Sequence, residues 1–245
     1  MTNHLTANQL KILAISLMFM DHFVAIFVDH DTEFGMILRV SGRIVAPIMC
    51  YLIAEGFYTT SNINKYLLRL FVFALISHIP YNIAFGFTFF QATSVMWGLF
   101  LGLFSLKIVK REQMSLVAKI LIVGFCCILV RKANWNYISL LWILGFGIFR
   151  GQRKYQLVSF TLISIFIHII PTFMNFGFTH EGSPHWYQFG TFLAIPFLFS
   201  YRGERGKELI KMGKYGFYIF YPAHLLFLFL LDFFTPLKET LLEVL

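Results

Sequence analysis

The stretch Lys11-Ile12-Leu13-Ala14-Ile15-Ser16-Leu17-Met18-Phe19-Met20-Asp21-His22 sets a base, an acid and an imidazole inside an otherwise apolar run. Lys11 and His22 are about three helical turns apart, so on a helix they share one stripe roughly 16 Å long. The apolar run extends on both sides, from Leu10 to Val28, about the length that crosses a bilayer. It is too long for the core of a signal peptide and lacks a small-residue cleavage site, so it stays as the first helix. Ionisable groups at membrane depth cost about 2.5–3.5 kcal/mol each and persist mainly where they line a cavity or a reaction path.

The rest of the chain repeats the pattern. Of 245 residues, 58% are hydrophobic, 19% aromatic and only 13% charged, more apolar surface than a soluble core can hide. Further apolar runs cover Met36–Phe57, Lys65–Ala84, Ser94–Val109, Leu116–Val130, Tyr137–Phe149, Tyr155–Ile170, Trp186–Ser200 and Tyr215–Phe234. With the first they predict an all-α polytopic membrane bundle of about nine helices, in one domain over residues 1–245. Short links join them: Asp29–Glu33, Thr59–Asn64, Phe87–Thr93, Thr172–His185 and the basic, Gly-punctuated Tyr201–Lys214.

A net charge of +8 could point to nucleic acid, but the basic residues lie in clusters between apolar runs, which argues against such a partner. Alternate links hold Lys65 and Arg69, then Lys107 to Lys119, Arg150 to Lys154 and Arg202 to Lys214, while the opposite set holds only Arg131, Lys132 and Lys238. The positive-inside rule then places the amino terminus in the cytoplasm and the carboxy terminus outside, in the cytoplasmic membrane. Cys50, Cys126 and Cys127 match no metal or disulfide spacing, and no metal is expected.

In that topology His22, Arg43 and His224 fall near mid-membrane and His78 in the outer half of the third helix. Asp21 points about 100° away from His22, so pairing with Arg43 is simpler than orienting the imidazole. Arg39 and Arg43 are four apart and share a face, and either could serve only as a structural partner for Asp21. His78 and His168 are candidates for simple bonds to a neighbouring carbonyl, His168 more so because it nears a helix end. Glu55 in the second helix and Tyr221 beside His224 complete the polar set.

The chemistry that suits these groups is general-base catalysis, since a neutral histidine in a dry cavity can take a proton from an attacking amine or hydroxyl. An arginine nearby could hold a developing oxyanion. Lys11 and the basic loops suit a phosphorylated donor such as a coenzyme A ester, whose arm would extend along the stripe to His22. A proton-coupled transporter or flippase is the rival use of the same residues, although the sequence shows no internal repeat. A non-catalytic assembly factor is a third.

Several strings together resemble one family. They are Leu10 to Ile15 with Met20-Asp21-His22, Gly42-Arg43-Ile44-Val45-Ala46-Pro47, Glu55-Gly56-Phe57, Lys65 to Leu70, Ala74 to Pro80, and Lys214-Tyr215 with Phe217-Tyr218 and Phe220 to Leu225. The chain is similar at both ends to the TraX family, whose namesake acetylates the amino terminus of F-type pilin, and to the broader membrane acyltransferase-three group. That group's basic residue, ten intervening residues and histidine match Lys11 and His22. The resemblance implies a membrane acetyltransferase using cytoplasmic acetyl-CoA as donor, with His22 as base aided by Asp21 and Arg43. Lys11 and Arg39 would bind the donor, and His224, Tyr221, His78 and Glu55 would line the acceptor site. The acceptor implied is an envelope peptide amine or a glycan. The chain has one helix fewer than the larger group.

Overall fold

A computed structural model describes residues 4–28, 33–176, 185–204, 206 and 215–235. Residues 29–32, the end of the Thr172–His185 link, most of the Tyr201–Lys214 loop, and Lys238 lie outside the described residues.

Helix α1, Ala7–Phe27, opens on a capping box: Gln9 N–H donates to the Thr6 hydroxyl, and Thr6 N–H donates to the Gln9 side chain at 2.8 Å. The second apolar run is broken into α2, Glu33–Gly42, and α3, Val45–Thr59, where one unbroken helix was expected from Met36 to Phe57. Pro47 is the cause. It has no N–H for the Arg43 carbonyl one turn back, and its ring crowds that carbonyl. The backbone tightens there, Ile44 N–H donating to Ser41 at 3.3 Å.

Helix α4, Ile63–Ala84, follows, capped by Asn62. Then come α5, Val95–Val109, α6, Leu116–Leu129, and α7, Asn136–Ile148. Helix α8, Arg153–Ile163, widens into a π-helical stretch at Ser164–Ile169 and continues as α9, Ile170–Phe176. The helix was expected to stop before Pro171. Instead the wide turn restarts the α-helix at Ile170, so Pro171 falls in a first turn, where an N–H is not required. A ten-residue 3-10 stretch, His185–Ala194, leads into α10, Ile195–Ser200, and α11, Gly216–Phe234, ends the described chain.

Taken as continuous segments, the described residues form nine helical stretches at the nine expected places. Five have the length and hydropathy of a full crossing: Ala7–Phe27, Phe34–Thr59, Ile63–Ala84, Arg153–Met174 and Gly216–Phe234. Helix α7 is shorter and is buried almost all round, with Leu140, Trp142 and Ile143 inaccessible. It forms the core against which α5 and α3 pack, while α11 lies on α4, and α2 on α1.

The outside of the bundle is apolar. Leu116, Val117, Ile120, Leu121, Phe125 and Ile128 of α6 are exposed, as are Leu75 and Ile79 of α4 and Phe227 and Phe233 of α11. Such a belt would drive aggregation in water and is what a bilayer solvates. The chain is an integral membrane protein.

Candidate active site

Asp21 and His22 are neighbours on α1 and, being about 100° apart around it, address different helices. Asp21 faces α2 and the break beyond it. The Arg43 Nη2 donates to both carboxylate oxygens, at 3.2 and 3.1 Å. Arg39 Nη1 lies 3.2 Å from Oδ1 and 3.3 Å from the Asp21 backbone carbonyl. One turn of helix thus brings two guanidinium groups onto one carboxylate, as the four-residue spacing predicts. The close approach depends on Gly42, because a Cβ at that position would sit inside the Asp21 carboxylate.

The same Arg43 guanidinium lies between two rings, 5.0 Å from the centre of Trp135 and 5.3 Å from that of Tyr187. Arg39 lies 5.7 Å from Tyr187. Trp135 is held with φ at +64° and Asn136 with φ at +31°, a left-handed backbone that costs a bulky residue energy and persists only where its surroundings impose it. Tyr187 arrives on the 3-10 stretch, which comes close to α2 because Gly190 leaves room for the Val40 carbonyl. The Trp135 ring also packs on His168, 5.3 Å between centres, and His168 Nε2 is 3.0 Å from Gln188 Oε1. His168 projects from the π-helical stretch, a distortion that often marks functional sites.

His22 turns instead to α11. Its Nδ1 lies 2.7 Å from Nε2 of His224, and His224 Nδ1 lies 2.8 Å from the Phe220 carbonyl. Tyr221 sets its ring edge-on to both histidines, 6.2 Å from His22 and 5.6 Å from His224, and Phe85 closes the other side of His22 at 5.5 Å. Both imidazoles and Tyr221 are buried.

Other expected site residues lie elsewhere. His78 Nε2 is 2.8 Å from the Phe89 carbonyl, to which Asn82 Nδ2 also donates at 3.3 Å, and its ring packs edge-on against Phe89, so it ties α4 to the loop that follows. Glu55 is twelve residues beyond Arg43, roughly 18 Å along the helix, and there it accepts three bonds of 3.1 to 3.2 Å from Arg150. Lys11 is exposed near the start of α1, where Leu5 N–H donates to Ser200 and Ala7 N–H to Glu204. Arg39 is bound to Asp21, ten residues and about 15 Å farther along α1, so Lys11 and Arg39 do not converge on one phosphate.

A family model described as TraX protein matches residues 6–232. The chain belongs to the TraX family. It is 28% identical over 229 residues to the probable fimbrial assembly protein FimC, serogroup H1, of Dichelobacter nodosus, covering 90% of this chain and 93% of that one. No solved structure matches. In this TraX-family chain the strings around His22, Arg43 and His224, far apart in sequence, come together in the bundle. Trp135, Tyr187 and Gln188 join them and were not singled out from the sequence, and His168, read there as a simple carbonyl-bonding histidine, joins them too. The one available signal was His168 three residues before a proline in a run otherwise suited to helix.

Proposed function

We propose that this TraX-family chain is a membrane acetyltransferase that moves an acetyl group from cytoplasmic acetyl-CoA to an amine or hydroxyl of an envelope acceptor. His22 acts as the general base. The observation that carries this reading is a buried imidazole one residue from an arginine-clamped carboxylate at membrane depth. Such a group is expensive there unless it works on a substrate. Arg43 supports it: Asp21 and two rings hold its guanidinium, yet its buried Nε–H has no protein acceptor among the described residues. A rigid, partly unsatisfied cation of this kind suits a developing oxyanion.

In the proposed cycle the acceptor nitrogen or oxygen attacks the thioester carbonyl as His22 takes its proton. The carbon–sulfur bond then breaks, and the thiolate leaves with the proton that His22 returns. Lys11, at the cytoplasmic start of α1, takes donor phosphate, and the acyl arm runs along the helix toward His22. The fimbrial assembly relative supports a pilus subunit's amino terminus as acceptor, and a surface glycan is the other candidate. The cytoplasmic membrane, with the amino terminus inside, follows from the loop charges.

The transporter reading gains one observation, since the α2–α3 break and the π-helical stretch interrupt two of the five long spans. Acetyl-CoA binding and transfer by purified protein separate the two. The enzyme reading expects a thermal shift with acetyl-CoA that Lys11→Ala reduces, and acetyl transfer that His22→Ala abolishes. Wild-type transfer by His22→Ala removes His22 as base, and no shift with any coenzyme A ester favours the transporter.

A further inference from the structure

We infer that His224 is a positioning residue that fixes His22 in the tautomer whose Nε2 carries the free lone pair. Naming that nitrogen as the reacting base rests on the acyltransfer reading above. The tautomer itself follows from the hydrogen-bond chain. The Phe220 carbonyl can only accept, so His224 Nδ1, 2.8 Å away, carries the hydrogen. A neutral imidazole has one N–H, and His224 Nε2 is therefore an acceptor. His22 Nδ1 at 2.7 Å must then donate, and His22 Nε2 is left bare.

The geometry suits a strong bond. The two ring planes are 3° apart and their centres 5.0 Å apart, about the nitrogen–nitrogen distance plus two ring radii. The rings lie edge to edge in one plane, with the N–H aimed along the lone pair. His224 is oriented from within its own helix: Phe220 supplies the carbonyl, and the Phe220 ring lies parallel to it with centres 4.6 Å apart. His22 and His224 are only 6% and 4% exposed, which leaves no ready water to replace His224 as acceptor. The hydrogen bond on one nitrogen of a histidine thus decides which other nitrogen is available.

During transfer the acceptor's proton moves to His22 Nε2 as the new bond to the carbonyl carbon forms. It leaves from the same nitrogen with the departing thiolate. The Nδ1–H stays donated to His224 throughout, so His224 neither gains nor loses a proton and steadies the imidazolium.

The test uses full-length protein labelled with 15N-histidine in detergent, with His22→Gln assigning the His22 signals. Wild type shows His22 protonated at Nδ1 and bare at Nε2. His224→Phe keeps a flat ring but removes the acceptor: His22 moves toward the opposite tautomer. Acetyl transfer then falls about 10- to 100-fold in kcat, the range lost when outer partners that orient metal-bound histidines are removed, with KM for acetyl-CoA unchanged. His224→Gln, whose amide oxygen reaches the place of Nε2, restores the tautomer and much of kcat, and the shorter His224→Asn does not. A wild-type His22 protonated at Nε2 overturns the inference, as does a His224→Phe protein with unchanged tautomer and rate. Full transfer by His22→Gln removes His22 as the base, absence of transfer by wild type defeats the acyltransfer reading, and in both cases the tautomer signals still decide the role of His224.

Discussion

The broken segment α2–α3 contributes to two acid–arginine pairs, one at its break and one near the end of α3, and they differ in burial and surroundings. Arg150 uses three bonds to hold Glu55, is itself half-exposed with a side chain 40% accessible, and lies in the turn after α7, tying that turn to α3. Asp21 and Arg43 sit at a helix break, beside a left-handed tryptophan and a π-helical stretch, with a buried guanidinium donor that has no partner among the described residues. Backbone strain and orphaned donors are costs that natural chains keep where chemistry needs them, whereas a fully satisfied pair staples two elements together. On the proposed acyltransfer reading, the contrast makes the Asp21 pair the working one and the Glu55 pair a staple.

The comparison can be broken most directly at His22. His22→Ala is expected to lower acetyl transfer by about 10²–10⁴-fold, the usual contribution of a general base, and to lower the melting temperature as well because it leaves buried His224 Nε2 without a donor. Transfer kinetics beside a thermal melt check this, and a variant that merely melts earlier at full activity would undo the assignment. Next in size is Arg43→Gln, which leaves the Asp21 carboxylate without the Nη2 that contacts both its oxygens. Losing one partner of a buried pair costs about 3–5 kcal/mol, Arg39 offsetting part of it, so both stability and transfer should fall. Arg43→Lys should not rescue transfer, because an ammonium has no Nε–H to offer and no flat group to lie between Trp135 and Tyr187.

Gly42→Ala sharpens the contrast without touching a charge. The added methyl meets the Asp21 carboxylate and forces the pair apart, an overpacking worth about 1–3 kcal/mol, visible as a lower melting temperature and weaker transfer. The smallest effect belongs to the other end. Glu55→Gln keeps a partner for Arg150, whose exposure screens the charge, so the loss is about 0.2–1 kcal/mol with transfer unchanged. A Glu55→Gln protein that fails in transfer while Arg43→Gln works would reverse the two ends.

Much of the fold was legible because hydropathy is a local property: a run of about twenty apolar residues has one economical conformation in lipid, whatever its neighbours. Arg39 and Arg43 could be put on one face from spacing alone, since the helical repeat aligns residues four apart, and opposite charge made Asp21 their candidate partner. The placing of Glu55 and His78 in an acceptor site had no such support. Both share a level with other polar groups when helices are drawn as rods, but each found a nearer partner, Arg150 and the Phe89 carbonyl. Trp135, Tyr187 and Gln188 gave no signal because aromatic and amide side chains near helix ends usually serve packing or the interface.

The sequence by itself determined an all-helical membrane bundle, the positions of its nine segments and the shared face of Arg39 and Arg43. These follow from side chains interacting with lipid or with residues one turn away. The tertiary structure alone decided that His22 meets His224, 202 residues later, and that Trp135 and Tyr187 close on Arg43. Contacts between distant helices depend on how whole apolar faces pack, and no local repeat encodes which pair of faces will meet.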